Sequence, residues 1–173
     1  MRTLAEPFRV LPLILAGLLA IGASGRAEAR QLELPDKAED ALDDRWDTWS
    51  VAPLATEATS CAPEAAGALS LDVDSDGLED IVLAVLTPDG VRLVALLRRL
   101  RGYDLYDVDA LGEIEADGHL VVMPRGTAYR NPRTSLDDYV ANDTVGVHRC
   151  DQEQVELYLW YGFRFEKIIP APR

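Results

Sequence analysis

Residues 81–97 read IVLAVLTPDGVRLVALL, and this stretch decides the class of fold. Residues 81–86 are an uninterrupted aliphatic run, rich in β-branched side chains, which is typical of a buried strand. Residues 87–90 predict a turn, because Pro88 presets φ and Gly90 accepts a positive φ. Residues 91–97 then form a second apolar run. We therefore predict a β-hairpin at the centre of the protein.

Shorter strand patterns follow this hairpin, and no long helical period occurs after residue 60. Residues 124–144 are polar and interrupted by proline, which predicts a long loop. The fold class predicted for residues 69–173 is mainly β, a compact antiparallel sheet or meander. The further strands are expected at residues 103–108, 119–123, 145–149, 155–161 and 163–169.

Residues 30–68 form a helix and loop lead-in to the predicted β domain. Ala38, Leu42, Trp46 and Trp49 recur at helical spacing, which predicts one short amphipathic N-terminal helix. We expect the two tryptophans to pack on the domain, and a platform for a ligand or partner is the alternative. Residues 51–68 are rich in alanine, proline, threonine and serine and predict a loop.

Residues 1–29 have the pattern of a secretory signal peptide. Arginines precede an uncharged apolar run at residues 10–22, and residues 27–29 (AEA) supply the small side chains that a signal peptidase reads. The apolar run has 13 residues, whereas a span of the bilayer needs about 20. We therefore expect a secreted or periplasmic protein with no membrane span after signal cleavage. An N-terminal membrane anchor is the alternative.

Net charge limits the kinds of partner that the protein can bind, and the cysteines bear on the compartment in which it works. The chain carries −13, and residues 1–29 hold three arginines and two glutamates, so the remaining 144 residues carry −14. Such a surface repels phosphate backbones, which argues against nucleic acid as a partner.

Cys61 and Cys150 are the two cysteines of the chain. In an exported protein they predict a disulfide, and two free thiols are the alternative.

The acidic loop at residues 72–80, DVDSDGLED, carries the strongest chemical signal. Alternate residues of a tight loop can direct their carboxylates at one centre, and Gly77 permits a sharp reversal of the chain. Clustered carboxylates repel one another unless a cation or protons bind. The loop therefore predicts a site for Ca²⁺, which takes six to eight oxygen ligands, with Mg²⁺ as the second choice. A solvated acidic turn is the alternative.

Residues 71–83, LDVDSDGLEDIVL, resemble the calcium loop of FG-GAP/VCBS repeats, and the resemblance covers roughly residues 70–100. The Phe-Gly and Gly-Ala-Pro flanks of the repeat and a second copy are missing, so the resemblance implies one FG-GAP-like unit and not a full propeller. The ligands that the resemblance implies are Asp72, Asp74, Asp76, Asp80 and the carbonyl of Leu78. Residues 158–165, YLWYGFRF, resemble the closing hairpin of bacterial exported proteins that carry one such loop, and this resemblance implies no activity.

The remaining polar residues give weaker signals. The common motifs of serine hydrolases, zinc proteases and phosphate-binding loops are missing from the sequence. His119 and His148 have no partner at metal-ligand spacing, so we expect structural histidines. Arg125, Arg130 and Arg133 form a basic spot that is expected to pair with nearby carboxylates or, alternatively, to bind an anion or an acidic partner.

These features favour an exported calcium-binding β domain that acts as a structural or partner-binding module. Its partner would be a protein or a component of the cell envelope. One alternative is a small secreted hydrolase with a pocket beside Asp80 or the Trp160/Tyr161 pair. Another is an inhibitor that inserts residues 124–144 into an enzyme.

Overall fold

The computed structural model describes residues 33–52, 67–112, 118–149, 152 and 154–172. The predicted signal peptide at residues 1–29 and the predicted disulfide between Cys61 and Cys150 lie outside these residues. The described elements are α1 (Asp36–Asp43), β1 (Ser50–Val51), β2 (Ala68–Leu71), β3 (Asp80–Thr87), β4 (Gly90–Arg99), β5 (Gly102–Gly112), β6 (Gly118–Met123), β7 (Ala128–Arg130), β8 (Asp137–Tyr139), β9 (Thr144–Arg149), β10 (Val155–Trp160) and β11 (Phe165–Ile168). The prediction of a mainly β, antiparallel fold with one short helix is confirmed.

The predicted hairpin is also confirmed, and it forms the middle of a five-stranded sheet that we call the central sheet. β3 and β4 pair in antiparallel register from Ile81↔Leu96 to Thr87↔Gly90. β5 pairs with the other edge of β4. β1 and β2 pair with β3 one after the other along its remaining edge.

Two further groups of strands complete the described fold. β6, β9, β10 and β11 form a four-stranded antiparallel sheet, the outer sheet, in the order β11-β10-β9-β6. β7 and β8 form a separate small hairpin, the cover hairpin. The described strands close neither a barrel nor a propeller.

Both faces of the central sheet are covered by other parts of the chain. On one face Val82, Ala84 and Leu93 pack with residues of the outer sheet, including Val147 and Tyr158. On the other face the helix α1 contributes its buried side chains to a second apolar cluster. Because neither face meets water, β3 and β4 read as continuous apolar runs and do not alternate with polar residues.

The helix ends earlier than the spacing of its apolar residues predicts. α1 stops at Asp43, so Trp46 and Trp49 lie beyond its last turn. Both tryptophans are half-buried and pack against the second apolar cluster, to which α1 contributes, as expected for a packing role. The indole N–H of Trp49 also donates to Asp43 at 2.8 Å, which ties the chain back to the end of the helix.

The prediction of a long loop at residues 124–144 is only partly right, because this segment contains the cover hairpin. Tyr129 and Val140 are buried against Leu157 and Leu159 of β10, on the face of the outer sheet that points away from the central sheet. Two apolar side chains anchor the hairpin, and strands of three residues are too short to show an alternating pattern.

We predict that Leu96→Ala and Leu97→Ala each lower the free energy of unfolding by about 2–5 kcal/mol. The two side chains are neighbours in β4, both are fully buried, and they belong to opposite faces of the central sheet. Leu100→Ala, at a fully exposed position, is the matched control and changes the free energy by less than about 0.5 kcal/mol. Urea unfolding measures all three variants. A large loss at only one of the two buried positions would contradict burial on both faces.

Candidate cation-binding site

The acidic loop at residues 72–80 joins β2 to β3, which are antiparallel neighbours with Leu71 opposite Asp80. It is therefore the tip of a hairpin at the edge of the central sheet. Ser75 and Gly77 reverse the chain with φ angles of 60° and 85°. Val73 is buried in the cluster between the two sheets, which holds the start of the loop against the core.

Backbone N–H groups hold the carboxylates of the loop in place. The N–H groups of Asp76 and Gly77 donate to the two oxygens of Asp72, each at 3.1 Å. The N–H of Leu78 donates to Asp76 at 2.8 Å. These bonds shape a compact loop in which side-chain oxygens point inward, as the alternating aspartates predict.

Asp72, Asp74 and Asp80 converge on one point. Each offers a carboxylate oxygen, and these oxygens all lie within 4.8 Å of one another. Three carboxylates at this spacing form a group that can hold a metal ion. The loop therefore brings together three of the four aspartates that the sequence singles out.

Asp80 has the most demanding environment of the three, because its side chain is fully buried. It accepts hydrogen bonds from the N–H of Val73 at 2.9 Å and the N–H of Arg98 at 2.7 Å. Burial, together with the negative charges of Asp74 and Asp76, raises the pKa of Asp80 to about 6, although these two hydrogen bonds lower it. In the described part of the chain no basic side chain forms an ion pair with Asp80. Its negative charge is thus buried, and none of the described basic side chains pairs with it.

Arg99, which the sequence reasoning missed, supplies positive charge to the outside of the loop. Its guanidinium lies 2.8 Å from Asp74 and 3.3 Å from Asp76, and its Nε donates to Asp104 at 2.8 Å. Burial lowers the pKa of Arg99, but the bonds to Asp74 and Asp104 outweigh it and hold the pKa above its usual range. The signal that could have found Arg99 is the register of the predicted hairpin, which brings the end of β4 beside the start of β3.

The other two ligands that the resemblance implies are Asp76 and the carbonyl of Leu78. Asp76 lies outside the converging group of three, and its carboxylate contacts Arg99 and the N–H of Leu78. Their roles as ligands stay predictions.

Asn142 is a second residue near the loop that sequence reasoning missed. Its side-chain N–H donates to the carbonyl of Val73 at 3.0 Å, although 69 positions separate the two residues. The segment after the cover hairpin therefore braces the acidic loop from the side of the outer sheet. No local pattern in the sequence signals this contact.

The three arginines of the predicted basic spot lie in different surroundings. Arg133 pairs with Glu166 at 2.8 Å, although its side chain is largely exposed. Arg130 lines a groove of about 590 Å³ together with Tyr129 and Val155. Arg125 lies in the turn before β7, and its backbone N–H donates to Asp143 at 2.9 Å. The pairing of Arg133 follows the expected role, and partner binding by the three arginines stays a prediction.

Trp160, named for the hydrolase alternative, packs between the sheets. Its ring centre lies 4.9 Å from that of Tyr106 and 5.0 Å from that of Phe165. Tyr161 is half-exposed and lines a separate groove of about 450 Å³ beside Arg133. Asp80 and Trp160 line neither of these two grooves.

The outer sheet brings the two histidines together, which the spacing of the sequence did not predict. His119 of β6 lies directly opposite His148 of β9. Their ring centres are 5.0 Å apart, with an angle of 83° between the planes. Only the pairing of two strands that lie far apart in the sequence creates this contact.

Comparison with known proteins finds no matching family model, no matching curated protein and no matching solved structure. Within the described residues, no helix has the length and apolar character that spanning a membrane requires.

We predict that Gly77→Ala lowers the free energy of unfolding by about 1 kcal/mol. A Cβ at this position meets no atom within 4 Å, so the loss comes only from the positive φ of 85°, which L-residues rarely adopt. Gly102→Ala is the control, because its Cβ also meets nothing within 4 Å and its φ is not positive. Urea unfolding compares the two variants, and equal losses would refute a conformational requirement for glycine in the loop.

Proposed function

We propose that this protein is an exported calcium-binding β domain that serves as a structural or partner-binding module. The observation that carries the proposal is the buried Asp80 carboxylate, which meets Asp72 and Asp74 with no basic side chain of the described residues beside it. A buried, unpaired charge is costly, and proteins rarely keep one without a counter-ion. A bound cation supplies that counter-ion.

The chemistry of the ligands favours calcium among the biological cations. All three converging groups are carboxylates, which are hard oxygen donors and suit Ca²⁺ better than softer metals. The resemblance to the FG-GAP/VCBS loop supports the same ion and adds Asp76 and the carbonyl of Leu78 as ligands. Mg²⁺ is the second choice, because it demands a smaller octahedral shell and keeps more of its water.

Calcium at this position would act mainly on the stability of the fold. Asp80 is the first residue of β3 and also binds the backbone of β4 through the N–H of Arg98. Asp72 and Asp74 belong to the connection from β2. One ion would therefore join the ends of three strands, and its binding energy would add to the free energy of folding.

The proposal includes export of the protein from the cytoplasm. The signal-peptide pattern at residues 1–29 supports a secreted or periplasmic location, where a Cys61–Cys150 disulfide is stable. Extracellular calcium modules bind with dissociation constants of roughly 10⁻⁴–10⁻³ M, and such weak binding suffices there.

The surface around the cover hairpin is the region that we assign to a protein or envelope partner. Leu136 and Tyr139 of this segment and Tyr161, which lines the groove beside Arg133, are large apolar side chains that are each at least half exposed. Exposed aromatic side chains beside arginine are enriched at protein interfaces. Arg125, Arg130 and Arg133 come from the same segment and would favour an acidic partner.

We predict that 10 mM CaCl₂ raises the melting temperature of the purified protein by roughly 5 °C relative to chelator. A dissociation constant near 10⁻⁴–10⁻³ M corresponds to about 1.4–2.7 kcal/mol of stabilisation at this concentration. Asp74→Asn keeps the shape of the side chain but removes its charge, and it weakens calcium binding at least about tenfold. Isothermal titration calorimetry and thermal melting measure both effects.

Asp89→Asn is the matched control for this experiment. Asp89 is an exposed residue of the β3–β4 turn and lies outside the acidic loop, so the variant has the same change in charge and retains calcium binding. If calcium leaves the melting temperature of the wild-type protein unchanged, the proposed function is wrong.

We predict that Arg99→Gln binds calcium about tenfold more tightly than the wild-type protein. The guanidinium holds one oxygen of Asp74 at 2.8 Å and repels a second cation bound nearby. Arg92→Gln removes the same charge from a pair with Asp107 elsewhere on the central sheet, and it should leave calcium affinity nearly unchanged. Calorimetric titration of the two variants tests this, and weaker binding by Arg99→Gln would mean that Arg99 supports the ion instead of competing with it.

A further inference from the structure

Both histidines of the chain meet at one point of the outer sheet. The sequence contains two histidines, and the register of β6 with β9 places them directly opposite each other, with ring centres 5.0 Å apart. The next position across the sheet from His148 is Val155 of β10. An apolar residue therefore flanks the imidazole pair on this side.

The hydrogen bond of His148 determines which of its nitrogens is free. Its Nε2 lies 3.0 Å from the carbonyl oxygen of Gln152. A carbonyl only accepts, so Nε2 carries the hydrogen and the neutral ring keeps a lone pair on Nδ1. The N–H of Gln152 in turn donates to the carbonyl of Arg149 at 2.9 Å, which fixes this turn. Histidines that bind metals commonly donate their second nitrogen to a carbonyl in this way.

His119 carries the observation that points to a ligand. Its side chain is more than nine-tenths buried, and Nδ1 has no hydrogen-bond partner in the described part of the chain. A buried polar atom left without a hydrogen-bond partner is energetically unfavourable. Protonation of His119 is disfavoured, because burial and, after it, the neighbouring His148 lower the pKa of this side chain below its usual value.

The spacing of the rings suits one ion bound to both imidazoles. An ion about 2.1 Å from a nitrogen of each ring lies about 3.3 Å from each ring centre. Ring centres 5.0 Å apart then subtend an angle of about 100° at the ion, which lies between the octahedral and tetrahedral values.

We propose that His119 and His148 form a binding site for a borderline transition-metal ion such as Zn²⁺. Imidazole nitrogen suits Zn²⁺, Ni²⁺ and Cu²⁺, whereas Ca²⁺ requires oxygen ligands. This site is separate from the acidic loop and does not depend on the calcium proposal. An ion there would cross-link β6 and β9, and water would fill its remaining positions.

The test is a titration of the purified protein with ZnCl₂ at pH 7.5 in 10 mM CaCl₂, which occupies the acidic loop. The imidazole C–H signals of both histidines in NMR spectra are expected to shift together and to saturate at one equivalent. The melting temperature should rise in parallel. His148→Gln, at a half-exposed position, should weaken zinc binding at least about tenfold, and Asp74→Asn should leave the zinc response unchanged.

Three results would overturn the proposal. The first is an absence of any change in the histidine signals at 1 mM ZnCl₂. The second is a zinc response that persists in His148→Gln. The third is a zinc response that Asp74→Asn abolishes, because that would place the ion in the acidic loop. Failure of the calcium experiment alone would leave this proposal standing, since the two sites share no residue.

Discussion

Burial of the β3–β4 hairpin on both faces is the constraint on which the rest of the structure depends. Neither strand has a polar face to offer to water, so each side needs a cover. The outer sheet covers one side and α1, with the two tryptophans after it, covers the other. The outer sheet has its own apolar outer face, which the cover hairpin closes through Tyr129 and Val140. The structure is layered because each apolar surface needs a further part of the chain to cover it.

The same constraint gives the acidic loop its chemistry. Asp80 begins β3, the most buried strand, so its carboxylate is drawn into the protein together with the apolar residues that follow. An aspartate at the exposed tip of the loop would remain solvated. The pKa of Asp80 is raised because burial disfavours the charged form of its carboxyl group. A cation between Asp72, Asp74 and Asp80 would offset this cost.

Positive charge reaches the loop from the chain itself and, in our proposal, from solution. Arg99 neutralises the outer carboxylates, while the inner carboxylate of Asp80 is out of its reach among the described contacts. Arg99 therefore neutralises part of the negative charge of the loop. The histidine pair differs from the acidic loop in its ligand chemistry, because imidazole nitrogens select softer ions than carboxylates do.

The sequence by itself determined the central hairpin, the antiparallel class, the short helix and the acidic loop, because each depends on local periodicity or on turn residues such as Pro88 and Gly77. It did not reveal the cover hairpin, whose strands are too short to show a period. Tertiary structure alone decided that Asp80 is buried, that Arg99 and Asn142 reach the loop, and that His119 faces His148. These contacts depend on strand register and on the stacking of sheets, which join residues distant in the chain and leave no local pattern.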